Sequence, residues 1–130
     1  SGNIKGHLLE KLSSVSTNAG NISLSGVKLL KKSTVKSKVG NISIEIEDIA
    51  SESICNIESN TGTVDLIIDR QVNATLDIET NMGKVNLDSA IIDVVKKKTF
   101  MGASINANIN NGGGKINVFS NMGKINVILK

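Results

Sequence analysis

The sequence predicts an all-β fold: a single-stranded β-solenoid (β-helix) of about six coils with a repeat near 21 residues. Two observations carry that expectation. The first is a recurring Ser/Thr-x-x-Gly unit: Thr17 to Gly20, Ser37 to Gly40, Ser59 to Gly62, Thr80 to Gly83, Thr99 to Gly102 and Ser120 to Gly123. Its glycines are separated by 20, 22, 21, 19 and 21 residues. The second is aliphatic alternation around the glycine. After it come Ile22 and Leu24, Ile42 and Ile44, Val64 and Leu66, Val85 and Leu87, and Ile125 and Val127, while Val15, Val35, Ile57, Ile78 and Val118 stand five residues before it. Period two on both sides means two short half-buried strands per repeat, bending at a residue that accepts positive φ. A unit this small cannot bury its own apolar face, so successive units stack.

Taken in order, the chain reads as one domain over 1–130. A truncated copy, Gly2-Asn3-Ile4, opens the series within an N-terminal coil or cap of about residues 1–14, and Leu8-Leu9-Glu10-Lys11-Leu12 is placed to cover one end. Coils then turn at Gly20, Gly40, Gly62 and Gly83. The pattern slips at Gly102, where Ala103-Ser104-Ile105-Asn106-Ala107 runs one residue out of phase and Lys97 takes an aliphatic place. A bulge or loop over 95–104 accounts for the slip. Asn110-Asn111-Gly112-Gly113-Gly114 is a turn into the C-terminal coil, 114–130. That last coil, ending in Lys124 to Lys130, is expected to form a poorly capped open end of the stack.

Several positions acquire roles from the repeat. The Ser/Thr hydroxyl three residues before each glycine is expected to bond backbone groups in the turn. Outward positions Ser23, Ser43, Asp65, Asn86 and Asn126 align, as do Asn18, Asn60, Asn81 and Asn121 two before their glycines. Stacked amides can hydrogen-bond along such a ladder, although polar filler gives the same composition. Cys55 shares the inward place of Leu76 and Ile116, and reads as a small buried hydrophobe. Met82, Met101 and Met122 precede glycines and read as corner packing; His7 reads as a surface or capping residue; Lys31-Lys32 and Lys96-Lys97-Lys98 read as loop charges.

At the level of the whole chain, the repeated Ser/Thr-x-x-Gly-x-Ile/Val-x-aliphatic unit resembles the toastrack (DUF4097) domains over about residues 2–130. Hexapeptide acyltransferases and bactofilin-type filament proteins share parts of the pattern but use shorter units. The resemblance implies a β-helical domain of bacterial envelopes or cell surfaces with an adhesin label, and brings no catalytic residues with it.

Composition narrows the functions further. Apolar residues make up 39% but aromatics only 2%, namely Phe100 and Phe119, with no Trp, Tyr or Pro. That argues against an aromatic-lined pocket, a base-stacking platform and a proline-recognition surface. One Cys and one His leave no disulfide framework, thiolate cluster or Ser/His machinery. No apolar run reaches the length of a bilayer span, and the first residues lack a signal-peptide apolar stretch. Charge is segregated: +6 over residues 1–40, −9 over 41–93 and +6 over 94–130. The basic ends suit anionic partners or self-contacts with the acidic middle, or they are simply a solvated surface. Without aromatics or a groove-entering helix, sequence-specific nucleic-acid binding is not expected.

The acidic middle raises one enzymatic alternative. Glu45, Glu47 and Asp48, then Asp65 and Asp69, then Asp88 and Asp93 follow successive strands, and stacking would bring Asp65 toward the Asp88 region as in paired-carboxylate hydrolases. Only Arg70 is available to grip a sugar, and no loop has calcium-ligand spacing, so no metal or cofactor is expected. The leading reading is a non-catalytic, adhesin-like binding or structural domain for an envelope polymer or protein. A scaffold assembling into homo-oligomers through solenoid ends comes second, and a polysaccharide-active enzyme third.

Overall fold

The computed structural model describes residues 4–7, 14–29, 32–88, 93–98, 102–110 and 112–130. Among them every regular element is a strand: β1 (Ile4–His7), β2 (Ser14–Ala19), β3 (Ile22–Leu29), β4 (Ser33–Val39), β5 (Ile42–Ile49), β6 (Ile54–Thr61), β7 (Val64–Ile68), β8 (Ala74–Met82), β9 (Val85–Leu87), β10 (Asp93–Lys98), β11 (Ala103–Ile109), β12 (Gly114–Met122) and β13 (Ile125–Leu129). Leu8 to Leu12, assigned above to a cap, lie outside the described residues.

The strands form two sheets, in the order β1-β3-β5-β7-β13-β9 and β10-β11-β8-β12-β6-β4-β2. The six-stranded sheet is parallel throughout. The seven-stranded sheet is parallel from β2 to β8 and antiparallel beyond it. Each parallel strand of the second sheet passes through a glycine corner into a strand of the first, so a coil is one strand from each sheet. The aliphatic positions become rows: Val35, Ile57, Val118 and Ile78 lie in register on one inner face, and Leu24, Ile44, Leu66, Val127 and Leu87 on the other. Ile44, Ile57, Leu66 and Ile78 are fully buried in the shared core, and each such side chain contributes about 1.5–3 kcal/mol over leaving it in water.

Two features depart from the order of the chain. The C-terminal coil, β12 with β13, is not an open end. It is inserted between the coil of β6 and β7 and the coil of β8 and β9, so β12 pairs with both β6 and β8, and β13 with both β7 and β9. The expectation of a poorly capped Lys124–Lys130 end is therefore overturned: β13 is paired with β7 over Ile125–Leu129 and with β9 over Ile125–Val127.

The repeat around Gly102 is not a parallel coil either. β10 and β11 form an antiparallel pair, and β11 runs antiparallel to β8 with Ile105 opposite Ile78. The phase slip after Gly102 marks this reversal of direction, and Lys96 to Lys98 belong to a strand, not a loop. A smaller irregularity was not foreseen: β3 bulges between Leu24 and Val27, where Gly26 adopts φ 62°.

Candidate functional site

The corner is built from the glycines. Gly20, Gly40, Gly62, Gly83 and Gly123 all have positive φ, between 128° and 153°. They stack with their coils: the N–H of Gly20 donates to Val39, Gly40 to Thr61, Gly62 to Met122 and Gly123 to Met82, at 2.9–3.1 Å. A Cβ on Gly40 would fall on the carbonyl oxygen of Gly20, one on Gly62 on that of Gly40, one on Gly123 on that of Gly62, and one on Gly83 on that of Gly123. The column thus runs Gly20, Gly40, Gly62, Gly123, Gly83. Gly102 stands apart from it, without positive φ, at the start of the antiparallel strand β11 and against the carbonyl of Thr80.

Inside the corner runs a second column. Ser37, Ser59, Ser120 and Thr80 are in register on neighbouring strands and at most 4% exposed. Among the described residues, the expectation that these hydroxyls tie down the turn holds only for Thr17, whose Oγ1 donates to the Ala19 carbonyl at 3.0 Å; Thr99 lies outside them. The four inner hydroxyls have no hydrogen-bond partner.

Outside, the amides form ladders. Asn81 donates to Asn121 and Asn121 to Asn60, each at 3.0 Å. In the other sheet Asn86 donates to Asn126 at 2.9 Å and Asn126 to Asp65 at 2.8 Å. A third rung, from Asn117 to Asn56 at 3.0 Å, was not anticipated. Just past the glycines, Asn21 Oδ1 accepts from the backbone N–H of Asn41, and Asn41 Oδ1 from that of Thr63. Asn18 does not extend the Asn60 ladder, because the outward strand between them offers Lys38.

The acids are dispersed. Asp65 and Asp88 do not approach through adjacent coils, since β13 lies between β7 and β9. Asp65 accepts from Asn126, and Asp88 Oδ2 accepts the backbone N–H of Leu129 at 3.1 Å. Glu45 binds Lys130 Nζ at 2.9 Å, and that bond together with the carboxylate charge holds the Lys130 amine above its ordinary range. Among the described residues no group of three or more His, Cys, Asp or Glu is placed to hold a metal ion. Cys55 is buried, and desolvation pushes its thiol from 9.0 up to about 12. Met82 and Met122, the last residues of β8 and β12, are not packed into the corner but stand 44% and 43% exposed, in register with each other, because the inward alternation ends at Thr80 and Ser120. Met101 lies outside the described residues, as does the side chain of His7.

The outer face of the seven-stranded sheet gathers the surface features. Phe119 sits on its central strand, directly opposite Glu58 on one side and Glu79 on the other. Glu58 also pairs with Lys36 at 3.2 Å. A depression of about 160 Å³ is lined by Asn56, Glu58, Asp77, Glu79, Asn117 and Phe119. A second, of about 440 Å³, adjoins it on the β2–β4 side and shares Phe119 and Glu58; a third, of about 430 Å³, lies toward β11 and shares Asp77 and Asn117. The sequence reading did not single out Phe119 as a surface residue. The available signal was its place four residues before the glycine, where the other repeats carry Ser16, Lys36, Glu58 and Glu79.

These features define a class: an all-β domain of parallel coils stacked on a glycine corner, with polar ladders outside and an aliphatic core. The toastrack (DUF4097) family profile matches residues 2–128, and the chain belongs to that family. The family name implies a β-solenoid, of unknown function. No curated protein and no solved structure gives a significant match. Among the described residues no helix is long and apolar enough to cross a membrane.

Proposed function

We propose that this domain is a non-catalytic, adhesin-like binding module, a β-solenoid that presents the outer face of its seven-stranded sheet to a polymer of the cell envelope or surface. The observation that carries the reading is a run of three adjoining depressions on a single face, two of them lined by Phe119 and the third joined to them through Asp77 and Asn117. The half-buried ring offers apolar contact, and Glu58, Glu79, Asp77 and Asn117 offer hydrogen bonds at fixed strand spacing. Such a pairing of an apolar platform with convergent polar groups suits a ligand that is itself amphipathic, as an extended glycan is. The rigidity of the ladders supports it, because a surface ordered in advance loses little freedom on binding. The absence of enzymatic activity is part of the proposal: Asp65, Asp88 and Glu45 are bound to Asn126, the Leu129 N–H and Lys130, and Glu58 and Glu79 are kept apart by the strand that carries Phe119.

Co-sedimentation with insoluble envelope polymer, such as peptidoglycan sacculi, tests the reading. Wild-type protein is expected in the pellet and Phe119→Ser in the supernatant, with both proteins showing the same β-sheet circular dichroism. Equal retention of the two, or no retention of either, would reject it.

A further inference from the structure

The C-terminal coil occupies a slot that the rest of the chain builds. β6 and β7 form one wall, β8 and β9 the other, and between them the loop 69–73 steps across the full width of the inserted coil. Without that coil, four strand edges would face each other unpaired, a condition that recruits any matching strand. The slot is selective. The corner carbonyl of Gly62 tolerates only a glycine above it, and β12 brings Gly123 to that place with Ser120 three residues earlier.

The coil is attached by a glycine-rich turn. Asn110 and Gly112 have φ of 58° and 77°, and Gly113 and Gly114 follow. This turn is latched to the loop that crosses the slot: Asn110 Nδ2 donates to the carbonyls of Arg70 at 3.0 Å and Val72 at 2.9 Å. At the far end, Lys130 is held by the Ile68 carbonyl and by Glu45.

We propose that this slot accepts the C-terminal coil of a second copy of the chain, so that two molecules exchange residues 114–130 and form an intertwined dimer. The inference is independent of what the outer face binds. A second copy is the fitting occupant because its coil carries the same glycine, hydroxyl and aliphatic places, and remakes every pairing of β12 and β13. Only the turn changes, losing the Asn110 latch. Exchange of this kind costs little when the hinge alone is altered. The dimer would carry two Phe119 faces, and with them the avidity of a linked pair.

The test uses the full chain and its own ion pair. Isotopically heavy and light protein are unfolded together, refolded at high and at low concentration, and treated with a carbodiimide that joins Lys130 to Glu45. The monomer fraction yields links between peptides of the same label. The dimer fraction is expected to yield heavy–light Lys130–Glu45 peptides, and to persist when diluted. Asn110→Ala, which loses the latch but leaves the slot intact, is expected to raise the dimer population by roughly fivefold for each of the two hydrogen bonds lost per chain. A dimer whose Lys130–Glu45 links are all same-label, or no dimer from either protein at any refolding concentration, would overturn the proposal.

Discussion

Asn121 donates its side-chain amide to Asn60 at 3.0 Å, across 61 residues of chain, and accepts from Asn81 on its other side. This relationship records the position of the last coil: Asn121 is the middle rung because β12 is the middle strand. Since the ladder is exposed, water competes for every bond in it. A double-mutant cycle of Asn60→Ala and Asn121→Ala is expected to show a coupling of about 0.5 kcal/mol, the low end for neutral hydrogen bonds. Urea unfolding of the four proteins measures it; a coupling of zero would mean that the rung is geometry without energy.

Gly123→Ala tests the corner. The new methyl would meet the Gly62 carbonyl in a backbone conformation that alanine avoids, so both sterics and φ oppose it. A loss of about 3 kcal/mol or more is expected, seen as a large drop in thermal midpoint. A loss below about 1 kcal/mol would show that the column opens without difficulty.

For the inner hydroxyls the expected sign is reversed. Ser59 and Ser120 are buried with no partner for their hydroxyl oxygens. Ser120→Ala removes a polar group that lost its water on folding, so stability should stay level or rise by up to about 1 kcal/mol. Clear destabilisation in thermal unfolding would count against a partnerless hydroxyl.

Cys55 links stability to pH. Its thiol is raised by burial from 9.0 to about 12 in the folded chain, so the folded state holds a proton that the unfolded state releases. Stability from this source is complete below pH 9.0 and is lost progressively from there toward about pH 12. The wild type should therefore fall more steeply than Cys55→Ala over that alkaline range. At pH 8 the folded protein should resist alkylation by iodoacetamide, and react once unfolded.

Much of the fold could be read because inner positions recur with strand periodicity. Each of the three aliphatic rows named from the sequence has a counterpart in the register: Val35, Ile57, Val118 and Ile78; Leu24, Ile44, Leu66 and Val127; and Ile22, Ile42, Val64 and Ile125. The order of the coils could not be read, because each coil carries the same pattern. Val118 packs equally well beside Ile57 or at the end of the series, and only three-dimensional closure decides between them. Gly102 misled for a related reason: its Ser/Thr-x-x-Gly signature matches the others, and the reversal of chain direction shows only in the phase of Ala103 and Ile105. The amide ladders were legible by position; so was the outward place of Phe119, in line with Ser16, Lys36, Glu58 and Glu79, but not the neighbours it would meet there, because these depend on the order of the coils.

The inserted coil also bears on how the protein is made. Synthesis delivers β6 and β7, then β8 and β9, and only later the strands that lie between them. A nascent chain on the ribosome can therefore add its coils in order only as far as β7, and not beyond. Its neighbouring walls must wait apart, or close wrongly on each other, until Gly114 to Leu129 arrive. For this domain the translation of β12 and β13, rather than the growth of the stack, sets when the native fold first exists.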